Sequence, residues 1–220
     1  MEEIKIMEKP EWISWDDIHE LLLAAHKKNI EKGILFRNVQ MSGDEIGEKI
    51  GEEGCCWVAL CGDKLVGTTS VKYYQGKSWW NHGKKVAHGC FTGILKDYQG
   101  IGIREDFDEK FREHIKRMGA DIVDGNTAET NYVVLKIARK NGCKFVSYYA
   151  ESRFNSIQFA KWLKGCPYSD KYIEMRFFIS KMLTKIQYKP GKVERSHIIT
   201  LFCEALQKIN RKCKDIKSNK

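Results

Sequence analysis

Apolar and polar residues alternate from Glu3 to Met7, a first strand that Pro10 closes. From Asp16 or Asp17, either of which can cap a helix, the spacing changes to a helical one. Ile18, Leu21, Leu22 and Ala25 fall on one face as far as about Lys28. A short second helix starts at Ser42 or Asp44 and ends near Gly54. Two apolar runs, Cys55 to Cys61 and Lys64 to Tyr74, flank Gly62-Asp63 and read as a hairpin. The glycine-containing aromatic stretch Gly76 to Lys84 reads as a loop, and Val86 to Leu95 as the fourth strand. A helix follows over Ile103 to Met118 with Phe107, Phe111 and Ile115 spaced by four, then a strand over Asp121 to Ala128. Asn131 to Lys140 is a helix stopped by Gly142, and Lys144 to Ala150 is a sixth strand. Ile157 to Lys161 reads as a seventh strand or a short helix.

Beyond Cys166-Pro167 the pattern is apolar and basic: a helix over Tyr172 to Ile186, a break at Lys189-Pro190-Gly191-Lys192, then a stripe of Ile198, Leu201, Phe202, Ala205, Leu206 and Ile209. The expected organisation is a domain over 1–166 and a basic, helical C-terminal extension over 167–220.

The 220 residues can bury a sizeable core, and 42% hydrophobic with 11% aromatic content excludes a disordered chain. No apolar run approaches the roughly 20 residues of a membrane span, and the N-terminus lacks a signal peptide's apolar core, so a cytoplasmic protein is expected. The eight cysteines show neither a Cys-x-x-Cys pair nor a histidine at zinc-like spacing, so reduced thiols and no metal site are expected. Charge is uneven: residues 181–220 carry eleven Lys/Arg and three Asp/Glu, +8 of the net +9. The tail stripe can pack on the domain, mediate a homodimer, or lie on anionic lipid. Acidic residues are mixed through the first 180 positions, which disfavours nucleic acid as a partner.

The most informative segment is Ile94-Leu95-Lys96-Asp97-Tyr98-Gln99-Gly100-Ile101-Gly102-Ile103-Arg104, where a strand passes through a glycine-rich turn into a helix. Amides at such a junction point outward, and the helix dipole adds positive potential, which builds a cradle for phosphate oxygens. No Gly-Lys-Ser/Thr closes it as in a P-loop, and the third glycine of a dinucleotide fingerprint is missing.

At these residues the chain resembles the GNAT superfamily of acetyl-CoA-dependent N-acetyltransferases, whose Gln/Arg-x-x-Gly-x-Gly/Ala signature wraps the pyrophosphate of coenzyme A. Gln99, Gly102 and Arg104 stand at its three defined places, and Arg104 departs from the pattern. The segment from Asn131 through Gly142-Cys143-Lys144-Phe145 looks like the helix after the family's fifth strand. The resemblance implies a GNAT-like α/β (α+β) fold: a mixed, mostly antiparallel, splayed sheet with helices on both faces. It implies coenzyme contacts at Ile94, Lys96, Gln99, Gly100, Ile101, Gly102, Ile103 and Arg104, with Asn131 on the pantetheine arm or acting as an N-cap. It also implies transfer of an acetyl group from acetyl-CoA to a primary amine of a small molecule, an amino sugar among the candidates. The alternative is a non-catalytic acyl-CoA-binding module that docks through the basic tail.

Such a transfer needs a base for the ammonium proton. His88 on the fourth strand and Asp124 and Glu129 around the end of the fifth are the competing candidates. The tyrosine that many family members use to protonate the thiolate is replaced by Ala138, and Tyr132 lies a turn away from that place. The aromatic cluster Tyr73, Tyr74, Trp79 and Trp80 can line an acceptor channel, cover core, or stack bases.

Overall fold

The computed structural model describes residues 3–32, 40–150 and 154–187. The chain divides into two compact units, Met1–Thr184 and Lys185–Lys220. The second is described only at residues 185–187, so the expected break at 189–192 and the stripe Ile198 to Ile209 lie outside the described residues.

The elements run β1 (Ile4–Glu8), α1 (Trp15–Glu31), α2 (Gly43–Ile50), β2 (Cys55–Cys61), β3 (Lys64–Gln75), β4 (Lys85–Ile94), α3 (Ile103–Arg117), β5 (Ile122–Ala128), α4 (Tyr132–Lys140), β6 (Lys144–Ala150), β7 (Asn155–Trp162) and α5 (Asp170–Gln187). The seven strands form one sheet in the order β1-β2-β3-β4-β5-β7-β6. Every neighbouring pair is antiparallel except β4 and β5, which run parallel. The open, mostly antiparallel α/β architecture is the expected one, and Ile157 to Lys161 is strand, not helix.

Period-two patterning assigns the faces. Cys56, Val58 and Leu60 of β2 pack with Ile18 and Leu22 of α1 and with Ile46 and Ile50 of α2. The intervening Trp57 and Ala59 turn to the other face, against Ile103, Phe107 and Ile115 of α3. Side chains as fully buried as Ile18, Leu22 and Phe107 contribute about 1.5–3 kcal/mol each. On the β5–β7–β6 side, Ile173 of α5 joins Val86, Ile122 and Val146, and Leu135 of α4 joins Tyr148 and Ile157.

The helix starts are more specific than the periodicity implied. Ser14, not Asp16 or Asp17, caps α1: its hydroxyl accepts from the Asp17 amide at 3.0 Å, and Oδ2 of Asp17 accepts from the Ser14 amide at 2.7 Å. Asp17 is therefore the return arm of a capping box, and these hydrogen bonds hold its carboxyl below the usual range. Ser42 caps α2 through the same box with Glu45, and α2 ends at Ile50, earlier than Gly54.

Candidate active site

The site begins where the parallel pair comes apart. β4 and β5 share three rungs only, Val86↔Ile122, Ala87↔Val123 and His88↔Asp124. Beyond them β4 continues beside β3 to Ile94, and β5 beside β7 to Ala128. Two strand edges thus face each other across an opening in the middle of the sheet, with backbone donors and acceptors not paired to one another. A bulge shapes the β4 edge. Thr68 pairs with Gly93 and Ser70 with Cys90, so Thr69 alone opposes Phe91 and Thr92, and Phe91 takes φ +48°. The strained turn is pinned on three sides: Phe91 is buried in the core, the Thr69 and Thr92 hydroxyls meet at 2.7 Å, and His26 Nε2 donates to the Thr92 carbonyl at 3.0 Å.

At the last rung, His88 Nδ1 lies 3.0 Å from Oδ1 of Asp124. The Asp124 side chain is fully buried, and that of His88 keeps 16% of its surface exposed. The other Asp124 oxygen accepts from Tyr74 Oη at 3.0 Å and from Gln158 Nε2 at 2.7 Å. Asn81 Nδ2 reaches Tyr74 Oη at 3.4 Å. Burial, and after it the Asp124 charge, push the Tyr74 hydroxyl well above its ordinary value, so it stays a donor. A carboxylate on Nδ1 places the ring hydrogen there and leaves the lone pair on Nε2. That nitrogen makes no hydrogen bond among the described residues.

The Gln99–Arg104 loop follows a short 3-10 turn at Lys96–Tyr98. Its glutamine folds back: Gln99 Nε2 donates to the Ile94 carbonyl at 2.9 Å and closes the loop on the end of β4. Gly100 (φ +82°) and Gly102 (φ +96°) both take the left-handed conformation, and a Cβ on either would meet open space. The conformation itself thus demands glycine, and the empty space beside it leaves room for a ligand. Gly102 is the N-cap of α3 and has no side chain to satisfy the first-turn amides. Arg104 turns along the helix and pairs with Asp108 at 3.0 Å.

Of the three candidate bases, His88 and Asp124 come together and Glu129 does not join them. Glu129 accepts from Tyr148 Oη at 2.7 Å and from Asn155 Nδ2 at 2.8 Å. Asn131 caps α4 by accepting from the Val134 amide and donates Nδ2 to Thr127 at 3.0 Å. The aromatic cluster is divided. Trp80 is core, Trp79 packs on Tyr168 and Tyr172, and only Tyr74 enters the His88–Asp124 network. Asn81 and Gln158 were missed; the available signal was a polar residue breaking an apolar strand in Ile157-Gln158-Phe159. Cys90, next to Gly89 on β4, is pushed up to about 12 by burial and remains a thiol.

No family model and no curated protein matches this sequence. Among solved structures, the chain is similar to an acetyltransferase of the GNAT family from Staphylococcus aureus, with TM-score 0.59 and 17% identity over 74% of this chain and 100% of that one. It is similar to the Bacillus subtilis acetyltransferase in complex with CoA, with TM-score 0.51 and 16% identity over 73% and 99%. It is also similar to Arabidopsis thaliana NAA60 in complex with a bisubstrate analogue, with TM-score 0.55 and 14% identity over 73% and 99%. The chain therefore has the fold of the GNAT acetyltransferases.

Proposed function

We propose that this GNAT-fold chain is an acetyl-CoA-dependent N-acetyltransferase acting on a primary amine of a small molecule, with an amino sugar in the class to be tried. The observation that carries the reading is the His88–Asp124 pair, held at the point where β4 and β5 separate. A buried carboxylate with three donors keeps the imidazole in one tautomer, and Nε2, without a partner among the described residues, is the base for the ammonium proton. Asp124 then acts through His88, as a positioning residue.

The pyrophosphate of acetyl-CoA would sit on the amides of Gly100 to Arg104 at the start of α3, and the pantetheine arm along the open edge near Ile94 and Lys96, with the Asn131-capped helix beside it. His88 takes one ammonium proton, and the amine lone pair attacks the thioester carbon. Bulged β4 amides stabilise the oxyanion. As the carbon–sulfur bond breaks, the nitrogen loses its second excess proton and the thiolate gains one, both through solvent, since Ala138 has no hydroxyl to offer. The neutral thiol of Cys90 is a poor nucleophile, which favours direct transfer over an acyl-cysteine.

The test is release of free CoA thiol from acetyl-CoA with a panel of primary amines that includes amino sugars, polyamines and amino acids. Turnover with at least one amine is expected. Coenzyme binding without thiol release from any would leave only the non-catalytic acyl-CoA-binding module.

A further inference from the structure

On the face of the sheet that carries α3, side chains from three separate elements converge. A carboxylate oxygen of Glu8 (end of β1), Sγ of Cys55 (start of β2) and a ring nitrogen of His114 (last turn of α3) all lie within 4.8 Å of one another. A groove of about 360 Å³ opens beside them, with Glu8, His114 and Arg117 but not Cys55 in its lining. His114 is 7% exposed, yet among the described residues its buried Nε2 makes no well-formed hydrogen bond, the Glu53 backbone being only a loose contact. Tyr73 Oη, whose ring lies 5.9 Å from that of His114, is a second buried polar atom without a partner. Buried polar atoms are nearly always satisfied, so a poorly held imidazole nitrogen and an unsatisfied hydroxyl beside a three-ligand cluster suit a site for a bound species.

We propose that Glu8, Cys55 and His114 bind a thiophilic divalent cation of the zinc type. Thiolate, imidazole and carboxylate are the three ligand types such an ion takes, and water from the groove supplies the fourth position. The separations need to close by only about 1 Å to reach tetrahedral ligand spacing. As the sulfur–metal bond forms, the Cys55 proton leaves to solvent, so two anionic ligands balance the two positive charges. Two obstacles stand in the way: burial and the Glu8 carboxylate favour the protonated Cys55 thiol until a metal displaces its proton, and the Arg117 guanidinium donates to His114 Nδ1 at 2.7 Å. Arginine can only donate, so the ring hydrogen now sits on Nε2. Binding through Nε2 moves that hydrogen to Nδ1 and displaces the guanidinium. Arg117 is exposed, beside the open groove, and can turn out into water. Because the ligands join the edge strand β1 to β2 and α3, the ion would also clamp the N-terminal strand to the domain.

The experiment is titration of the full chain with Co²⁺ under reducing, chelator-free conditions, read by the thiolate-to-cobalt charge-transfer band and by the intense visible bands of four-coordinate cobalt. One Co²⁺ per chain is expected, displaced by Zn²⁺ with a rise in melting temperature. Cys55→Ser should abolish the charge-transfer band, Cys143→Ser should leave it, and His114→Gln should weaken binding by more than about tenfold. Arg117→Gln removes the competing cation, offers Nδ1–H an acceptor, and should tighten binding. Absence of a thiolate band in the folded wild type, or a band that survives Cys55→Ser, overturns the proposal and leaves water as the groove's occupant.

Discussion

His88 Nδ1 and Asp124 Oδ1 face each other at 3.0 Å across the last rung that β4 and β5 share. One residue further along, the strands no longer pair, so the imidazole stands at the apex of the opening with its inner nitrogen fixed and its outer one unbonded among the described residues. The two residues hold unlike positions. Asp124 is sealed in by Tyr74 and Gln158, whereas His88 retains access to solvent.

For the base, His88→Gln should lower turnover by about a hundredfold or more while coenzyme affinity stays near wild type. Steady-state kinetics across pH checks the role directly, because the limb that reports ionisation of the base should disappear in the variant. Asp124→Asn should lower kcat by about tenfold or more with KM little changed, since an amide no longer enforces the Nδ1–H tautomer. A loss confined to KM would instead place His88 in acceptor binding.

At the loop, Gly102→Ala should reduce coenzyme A affinity by about tenfold or more, measured by calorimetry. An alanine at φ +96° costs about 1 kcal/mol of backbone strain, and its methyl occupies the space beside the helix start. Circular dichroism should show the fold retained, because apart from the adjoining backbone nothing among the described residues lies within 4 Å of the added carbon.

Glu129 gives the contrasting result. Glu129→Ala leaves Tyr148 Oη and Asn155 Nδ2 without their acceptor and should destabilise the domain by about 1–3 kcal/mol in chemical denaturation. Its effect on kcat should stay within about twofold, unlike that of His88→Gln.

The pH dependence of stability should carry a mark of His26. Burial holds its imidazole below the usual range, while its hydrogen bond to Thr92 opposes the shift. The folded state then binds fewer protons than the unfolded one as pH falls through about 6.5. Its contribution is complete above that pH and is lost on acidification toward the folded value. His26→Gln, which can still donate to Thr92, should flatten the fall of melting temperature between pH 7.5 and pH 5.5.

The sequence by itself determined the order and type of the elements. Hydrophobic period and turn chemistry are local, and they specified six strands and the α-α-β-β-β order after β1 without any long-range information, while Ile157 to Lys161 stayed open between strand and helix. It also determined the glycine turn into α3, because left-handed glycines at a helix start are a property of six consecutive residues. Even the capping box was legible, in Ser14-Trp15-Asp16-Asp17, although the aspartates drew the expectation two or three residues too late.

Tertiary structure alone decided which candidates are partners. His88 and Asp124 are 36 residues apart, and nothing in the local pattern separates Asp124 from Glu129; parallel register joins the first pair, and an antiparallel neighbour takes the other carboxylate. The same holds for Glu8, Cys55 and His114, which no ligand spacing along the chain could reveal because they come from two strands and a helix. Helical and strand periods say which face a side chain is on. Which side chains meet on that face is set by sheet register and helix packing, and those depend on the free energy of the whole core.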